Sequence, residues 1–123
     1  MTKTQALHQF WNSFGLVAYE ENSVPDNAKF PYITYSNEMD NMDNICLLIG
    51  NLWYRTDSWK AILDKSNEIA RYIKEHGFVT IPFDEGYLYI TGGTPFAQTM
   101  NEPSDYKIKR IYININVEYL CKY

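Results

Sequence analysis

The feature that most constrains the fold is a regular alternation of apolar and polar side chains near the C-terminus. Between Ile108 and Leu120, every second residue is apolar, namely Ile111, Ile113, Ile115, Val117 and Tyr119. Successive side chains of a β-strand point to opposite faces, and β-branched and aromatic residues suit such a strand. The pattern predicts a long strand with one face in a core. Its polar face carries no nucleophile–base pair, which indicates a scaffold or an interaction surface.

Two segments show helical spacing. The first helix is predicted over residues 4–14, with Thr2 or Thr4 as its cap and an apolar stripe of Leu7, Phe10, Trp11 and Phe14. The second is predicted over residues 57–76, with Asp57 or Ser58 as its cap, Gly77 beyond its end and a stripe of Trp59, Ile62, Ile69 and Ile73. These stripes, Trp11 and Trp59 included, are expected to pack on the apolar face of the C-terminal strand.

The remaining extended segments come in neighbouring pairs joined by short turns. Strands are predicted over residues 30–36 and 45–55, with a bulge or bend at Gly50, and a short extended piece is predicted over 17–19. A hairpin follows over 78–83 and 86–91, then a break at Gly92-Gly93 and a separate extended piece over 95–100. The fold class is therefore predicted as a single α+β domain over residues 1–123, a mainly antiparallel sheet with two helices on one face.

Composition and charge argue against several classes of function. The net charge of −4 disfavours a protein that binds nucleic acid by neutralising phosphates. The sequence contains no apolar run of the roughly 20 residues that span a bilayer, and the N-terminal segment does not resemble a signal peptide. Cys46 and Cys121 are the only cysteines, which predicts reduced thiols in a cytosolic setting, although a disulfide stays open.

No group of residues points to catalysis. His8 and His76 have no second ligand at metal-binding spacing, and the acidic segment around Asp40 and Asp43 lacks the glycine and closing glutamate of a calcium loop. Gly92-Gly93 lacks the lysine of a phosphate-binding loop. We therefore expect no enzyme, no metal site and no cofactor.

Aromatic and charged residues instead indicate interfaces. Aromatic residues make up 16% of the chain and tyrosine occurs 11 times, and aromatic residues and arginine are enriched in interfaces. Lys107, Lys109 and Arg110 adjoin the acidic 101–106 segment, which predicts a salt-bridged strand start or a contact with an acidic loop of a neighbouring copy. For each interface candidate, a packing role within the sheet stays the alternative. The candidates are Tyr32, Asp40, Asp43, Trp53, Tyr54, Arg55, Pro95, Phe96, Asp105, Lys107 and Arg110.

Several sequence stretches resemble small proteins from the head–tail region of long-tailed phages and prophages of Gram-positive bacteria. They are Ala18–Asp26, Phe30–Tyr35, Leu52–Arg55 with Ser58-Trp59, Gly92–Gln98 and Arg110–Asn114. Together they extend over most of residues 16–120. The chain is thus similar to the tail-terminator and tail-completion proteins.

The resemblance implies a structural virion protein with an α/β sandwich fold. Subunits of that class form a homo-oligomeric ring, a hexamer, which caps the tail tube, stops tube polymerisation and offers a surface to the head–tail connector. The implied partners are other copies of the chain, the tail tube protein and the connector protein. DNA would only pass through the lumen. The implied location is the neck of the virion, and the host cytoplasm during assembly. Another connector or stopper component, or a small ligand-binding or enzymatic α+β domain, is the alternative.

Overall fold

The computed structural model describes residues 1–37 and 46–121, with the backbone only for Asn101 and Cys121. Two helices and six strands follow one another along the chain, in agreement with the predicted α+β class. They are α1 (Lys3–Asn12), β1 (Val17–Glu20), β2 (Tyr32–Tyr35), β3 (Cys46–Arg55), α2 (Lys60–His76), β4 (Val79–Phe83), β5 (Gly86–Asn101) and β6 (Ile108–Cys121). Neither helix has the length and apolar character needed to cross a membrane, as far as the described residues go.

The six strands form one sheet in the order β1-β2-β3-β6-β5-β4. All neighbours are antiparallel except β1 and β2, which run parallel, so the short piece expected at 17–19 is a strand of the sheet. The predicted C-terminal strand lies at the centre, between β3 and β5. Helix α1 contacts β1 and β2 at one end of the sheet and β4 and β5 at the other, because the sheet curls around it.

Both helices pack on one side of the sheet, which we call the inner face. It carries the even-numbered residues of β3 and the odd-numbered residues of β6, and the alternation predicted for β6 is confirmed by its burial. The opposite side of the sheet, which we call the outer face, carries the odd-numbered residues of β3 and the even-numbered residues of β6. No helix of the described residues covers the outer face.

The helix termini follow the expected capping chemistry with one difference. At α1, the Thr2 hydroxyl accepts a hydrogen bond from the Gln5 N–H and the Gln5 side-chain oxygen accepts one from the Thr2 N–H, which completes a capping box. Helix α2 begins at Lys60, later than predicted, and its N-cap position is Trp59. Ser58 still accepts a hydrogen bond from the Lys60 N–H at 3.1 Å. Gly77 ends α2 with φ of +72°, as the sequence predicts.

Gly50 has a different role from the predicted bulge. Its strand pairs in unbroken register with β2 and β6 at this position, opposite Tyr35 and Ile113. A Cβ atom at Gly50 would lie 2.4 Å from the indole ring of Trp11, which is fully buried against it. The glycine therefore makes room for a tryptophan of α1, and the bend expected there is wrong.

The break expected at Gly92-Gly93 is instead an irregularity within one long strand. The register of β5 against β6 shifts between Gly92, which pairs with Ile115, and Ala97, which pairs with Ile113. A Cβ atom at Gly93 would lie 2.8 Å from the Cβ of Asn114, so the backbones approach closely here. The Asn114 side chain donates a hydrogen bond of 2.8 Å to the Pro95 carbonyl and holds the bulge in place.

Candidate functional site

The outer face exposes a set of apolar side chains that nothing in the described structure covers. Those on four of its strands are each at least 44% exposed: Val17, Leu47, Tyr87 and Leu120. Tyr87 and Leu120 are paired neighbours on adjacent strands, and so are Val17 and Tyr32, and contiguous exposed apolar side chains mark interaction surfaces. The outer face is therefore the candidate functional site.

Across β1, β2, β3 and β6, the outer face carries a continuous aromatic row, which consists of Tyr19, Phe30, Tyr32, Trp53 and Arg110. The rings of Tyr32 and Trp53 stack with their centroids 6.3 Å apart, and the Arg110 guanidinium lies 5.1 Å from the centroid of Trp53. Tyr19 and Phe30 contact Tyr32 at 5.8 Å and 5.2 Å between centroids. The sequence candidates Tyr32, Trp53 and Arg110 thus lie together.

Hydrogen bonds to neighbouring side chains and stacking between its own rings hold the aromatic row in place. The Trp53 Nε1–H donates to the Thr34 hydroxyl at 2.9 Å, and Arg110 donates to Glu102 at 3.1 Å. Burial, with the neighbouring Tyr19 as a smaller cause, raises the pKa of Tyr32, so its hydroxyl stays protonated as a donor. The Tyr32 ring thus contacts the rings of Tyr19, Phe30 and Trp53, which holds the row together. Aromatic side chains of this kind are enriched in protein interfaces.

The charged candidates near the start of β6 mostly pair within the chain. Asp105 accepts hydrogen bonds from the Arg55 side chain at 3.1 Å and the Lys107 N–H at 3.0 Å, and the Lys107 amino group lies 3.8 Å from Asp57. The Lys107 N–H first, and Arg55 second, lower the pKa of the Asp105 carboxyl. The predicted salt-bridged strand start is confirmed, and these charges have partners before any neighbour arrives.

The structure separates the other candidates from the aromatic row. Tyr54 is buried on the inner face because it shares the parity of Leu52, so its assignment to a surface with Trp53 is wrong. Pro95 is exposed in the β5 bulge, whereas Phe96 is half-buried and lies near Ile73 of α2. Asp40 and Asp43 lie outside the described residues.

Both edges of the sheet are partly blocked against a further strand. Strands β4 and β5 form a two-residue hairpin, in which Phe83 and Gly86 are the first hydrogen-bonded pair. Because such pairs alternate along the strands, the backbone polar groups of Thr80 and Pro82 point away from β5, and Pro82 has no N–H. At the other edge, the outward Ala18 N–H already donates to the Asn12 side chain at 3.1 Å. Contacts with other chains are therefore expected through faces and loops rather than through sheet extension.

Catalytic geometry is not seen in residues 1–37 and 46–121. No three side chains among the described histidines, cysteines and acids converge on a metal position. The His8 imidazole hydrogen-bonds to the Tyr35 hydroxyl at 3.0 Å, and the His76 imidazole to the Tyr72 carbonyl at 2.7 Å. Both contacts are structural, one with the core and one within the last turns of α2.

Sequence reasoning missed residues on both faces of the sheet. On the outer face, Tyr19 has the parity of Thr34 on β2, and Leu47 and Leu120 follow the alternation of their own strands. On the inner face, Lys109 is buried instead of solvated, although it shares the parity of Ile111.

Comparisons with protein-family models, curated proteins and solved structures found no match to this chain. The resemblance to tail-terminator proteins therefore stays a prediction from the sequence.

Proposed function

We propose that the chain is a structural virion protein of a long-tailed phage, a tail-terminator or tail-completion subunit that assembles into a ring on the tail tube. The observation that carries the proposal is the outer face, with its aromatic row and exposed apolar side chains. A protein that acts by surface complementarity needs such a face. The stretches of sequence that resemble the tail-terminator class include every residue of the aromatic row, on β1, β2, β3 and β6 and at Phe30.

A closed ring of identical subunits needs two different, mutually complementary surfaces on each subunit. The partly blocked edges make strand-to-strand addition an unsuitable contact, since this kind of pairing would also continue into open aggregates. The outer face of one subunit against a loop surface of the next meets the requirement. The tube and the connector would then meet the two ends of the ring, and DNA would pass through its lumen.

The decisive experiment is assembly of tail tubes with and without this chain. The tail tube protein of the same phage is polymerised alone and with the purified chain, and the products are measured by negative-stain electron microscopy. We expect tubes of uncontrolled length without the chain and short tubes closed by a ring with it. Tubes unchanged in length and without bound chain would contradict the proposal, and rings that bind only to filled heads would indicate a connector or stopper instead.

The outer face is tested with matched variants in the same assay. Trp53→Ala should abolish capping because it removes the centre of the aromatic row. Tyr72→Ala, an exposed aromatic residue of the helical layer, is the control and should leave assembly through the outer face intact. Circular dichroism shows that each variant is folded before its assembly is scored. Equal loss by both variants would remove the outer face from the proposal.

A further inference from the structure

Of the three basic residues at the start of β6, only one lacks a carboxylate partner within residues 1–37 and 46–121. Arg110 pairs with Glu102 and Lys107 lies within 3.8 Å of Asp57. Lys109 forms no ion pair in the described structure, although it is the most buried of the three, with only 7% of its surface exposed. Its amino group donates to the Tyr106 carbonyl and lies 5.7 Å from the centroid of the Trp59 ring.

These two contacts satisfy Lys109 incompletely. A lysine ammonium has three donors, and a carbonyl and an indole face leave its positive charge without a counter-ion. A buried cation is normally paired because it has lost its hydration. The arrangement therefore favours an anion that arrives from outside the chain.

The space for that anion is a cleft beside Lys109. This Lys109 cleft has a volume of about 420 Å³ and is lined by Trp59, Glu102, Pro103, Tyr106, Ile108 and Lys109. Its volume lies within the usual range of ligand sites, and most of its walls are apolar or aromatic. A guest would need an apolar group to contact these walls and an anionic group to reach Lys109.

The charged residues that line the cleft favour a carboxylate over a phosphate as its ligand. Among the described residues, Lys109 is the one cation that lines the cleft, and Glu102 in the same wall is negatively charged, although Arg110 offsets it. A phosphate dianion is usually bound by several donors, arginine above all, whereas a monovalent carboxylate matches one ammonium group. The guest is thus a carboxylate with an apolar neighbour.

We propose that the Lys109 cleft binds an acidic side chain flanked by apolar residues on a segment of a partner protein. The site adjoins the aromatic row through the Glu102–Arg110 ion pair, but it does not depend on ring assembly. It gives the basic patch a specific function: two of its charges hold the strand start together, and the third recognises the partner.

The test uses the full chain and a short peptide probe. Acetylated, amidated leucyl-glutamyl-leucine is titrated into labelled protein and followed by nuclear magnetic resonance, with the glutaminyl peptide as the neutral match and inorganic phosphate as a separate arm. We expect shifts of the Trp59 indole and the amides of 102–109 with the glutamyl peptide alone, weakened by added salt. Binding of the glutaminyl peptide with equal affinity, or shifts confined to other regions, would overturn the proposal, as would phosphate binding as tightly as the peptide.

Two lysine variants complete the experiment. Lys109→Met keeps the apolar stem and should weaken binding by about tenfold or more, because it removes a buried charge contact. Lys107→Met, at an exposed lysine, should change the affinity by less than about twofold. Equal effects of both variants would contradict a role for the cleft. If Lys109→Met does not fold, the shift map of the wild-type protein decides alone. A negative result leaves the tube-capping assay unaffected, so the two proposals fail separately.

Discussion

The two faces of the same pair of strands, β3 and β6, are stabilised in different ways. On the inner face, Leu48, Leu52, Ile111 and Ile113 are completely buried beneath the helices, and each contributes by leaving water. On the outer face, Trp53 and Arg110 are only half-buried and gain their contacts from cross-strand neighbours. The inner face therefore provides most of the stability of the fold, while the outer face is available for contacts with other molecules.

The strongest test of this difference compares two tryptophans. Trp11→Ala should lower the free energy of unfolding by about 3–5 kcal/mol, because it leaves a large cavity in a fully buried site. Trp53→Ala should lower it by only about 1–2 kcal/mol, since it removes stacking on a half-buried surface. Urea unfolding followed by circular dichroism measures both. Equal losses would show that the outer face is part of the core.

Gly50→Ala sharpens the comparison from the inner side. The added methyl group would lie 2.4 Å from the Trp11 ring, so the variant should lose about 1–3 kcal/mol of stability through overpacking. The same substitution in a Trp11→Leu background should cost much less, because the ring that it meets is gone. A double-mutant cycle in urea gives the coupling energy. Additive effects would mean that the missing side chain at Gly50 is not what makes room for the Trp11 ring.

Arg110→Met tests the outer face on its own. The variant keeps an unbranched apolar stem but removes the cation–π contact of Arg110 with Trp53 and its ion pair with Glu102. Both are partly exposed, so the expected loss is about 0.5–1 kcal/mol in thermal or urea unfolding. Glu102→Gln removes the ion pair alone and should account for the smaller part. A loss as large as that of Trp11→Ala would contradict the distinction between the faces.

Much of this arrangement could be predicted because its signals are local. The apolar stripe of α2 and the alternation of β6 each follow from a period in the sequence, and the structure has both within a few residues of the predicted bounds. The alternation of β3 is also visible in the sequence, since Tyr54 lies at an even position like Leu48 and Leu52 and therefore on the inner face. The prediction that Tyr54 lies at an interface is wrong because it rests on the residue type and not on the position in the strand.

Other features depend on partners that are distant in the sequence. Gly50 is needed because Trp11 packs there, and the Lys109 amino group lies against the Trp59 ring and the Tyr106 carbonyl. The parallel pairing of β1 with β2 requires the connection over residues 21–31 to return the chain to the end of the sheet where β1 begins. No local pattern encodes such contacts, so the aromatic row was predicted only in part and the Lys109 cleft not at all.

The smallest expected effect concerns acid stability at the charged start of β6. The pKa of Asp105 is lowered from its ordinary value of 3.8, chiefly by the Lys107 N–H and then by Arg55. A carboxyl group whose pKa is lower in the folded than in the unfolded chain stabilises the fold at pH values above its unfolded pKa. This contribution is lost as the pH falls through the folded pKa. Wild-type protein should therefore be slightly more stable than Asp105→Asn at pH 7, and the difference should shrink below about pH 3.8.

Thermal unfolding between pH 7 and pH 2.5 would measure this difference, with Asp26→Asn in an exposed turn as the matched control. A gap between wild type and Asp105→Asn that stays constant over the whole range would mean that the carboxylate contributes through its shape instead of its charge. The same gap in Asp26→Asn would assign it to overall charge. Because Asp105 also borders Tyr106 of the Lys109 cleft, a pH-dependent gap specific to Asp105 would further show that this loop is held by its own charges before any partner binds.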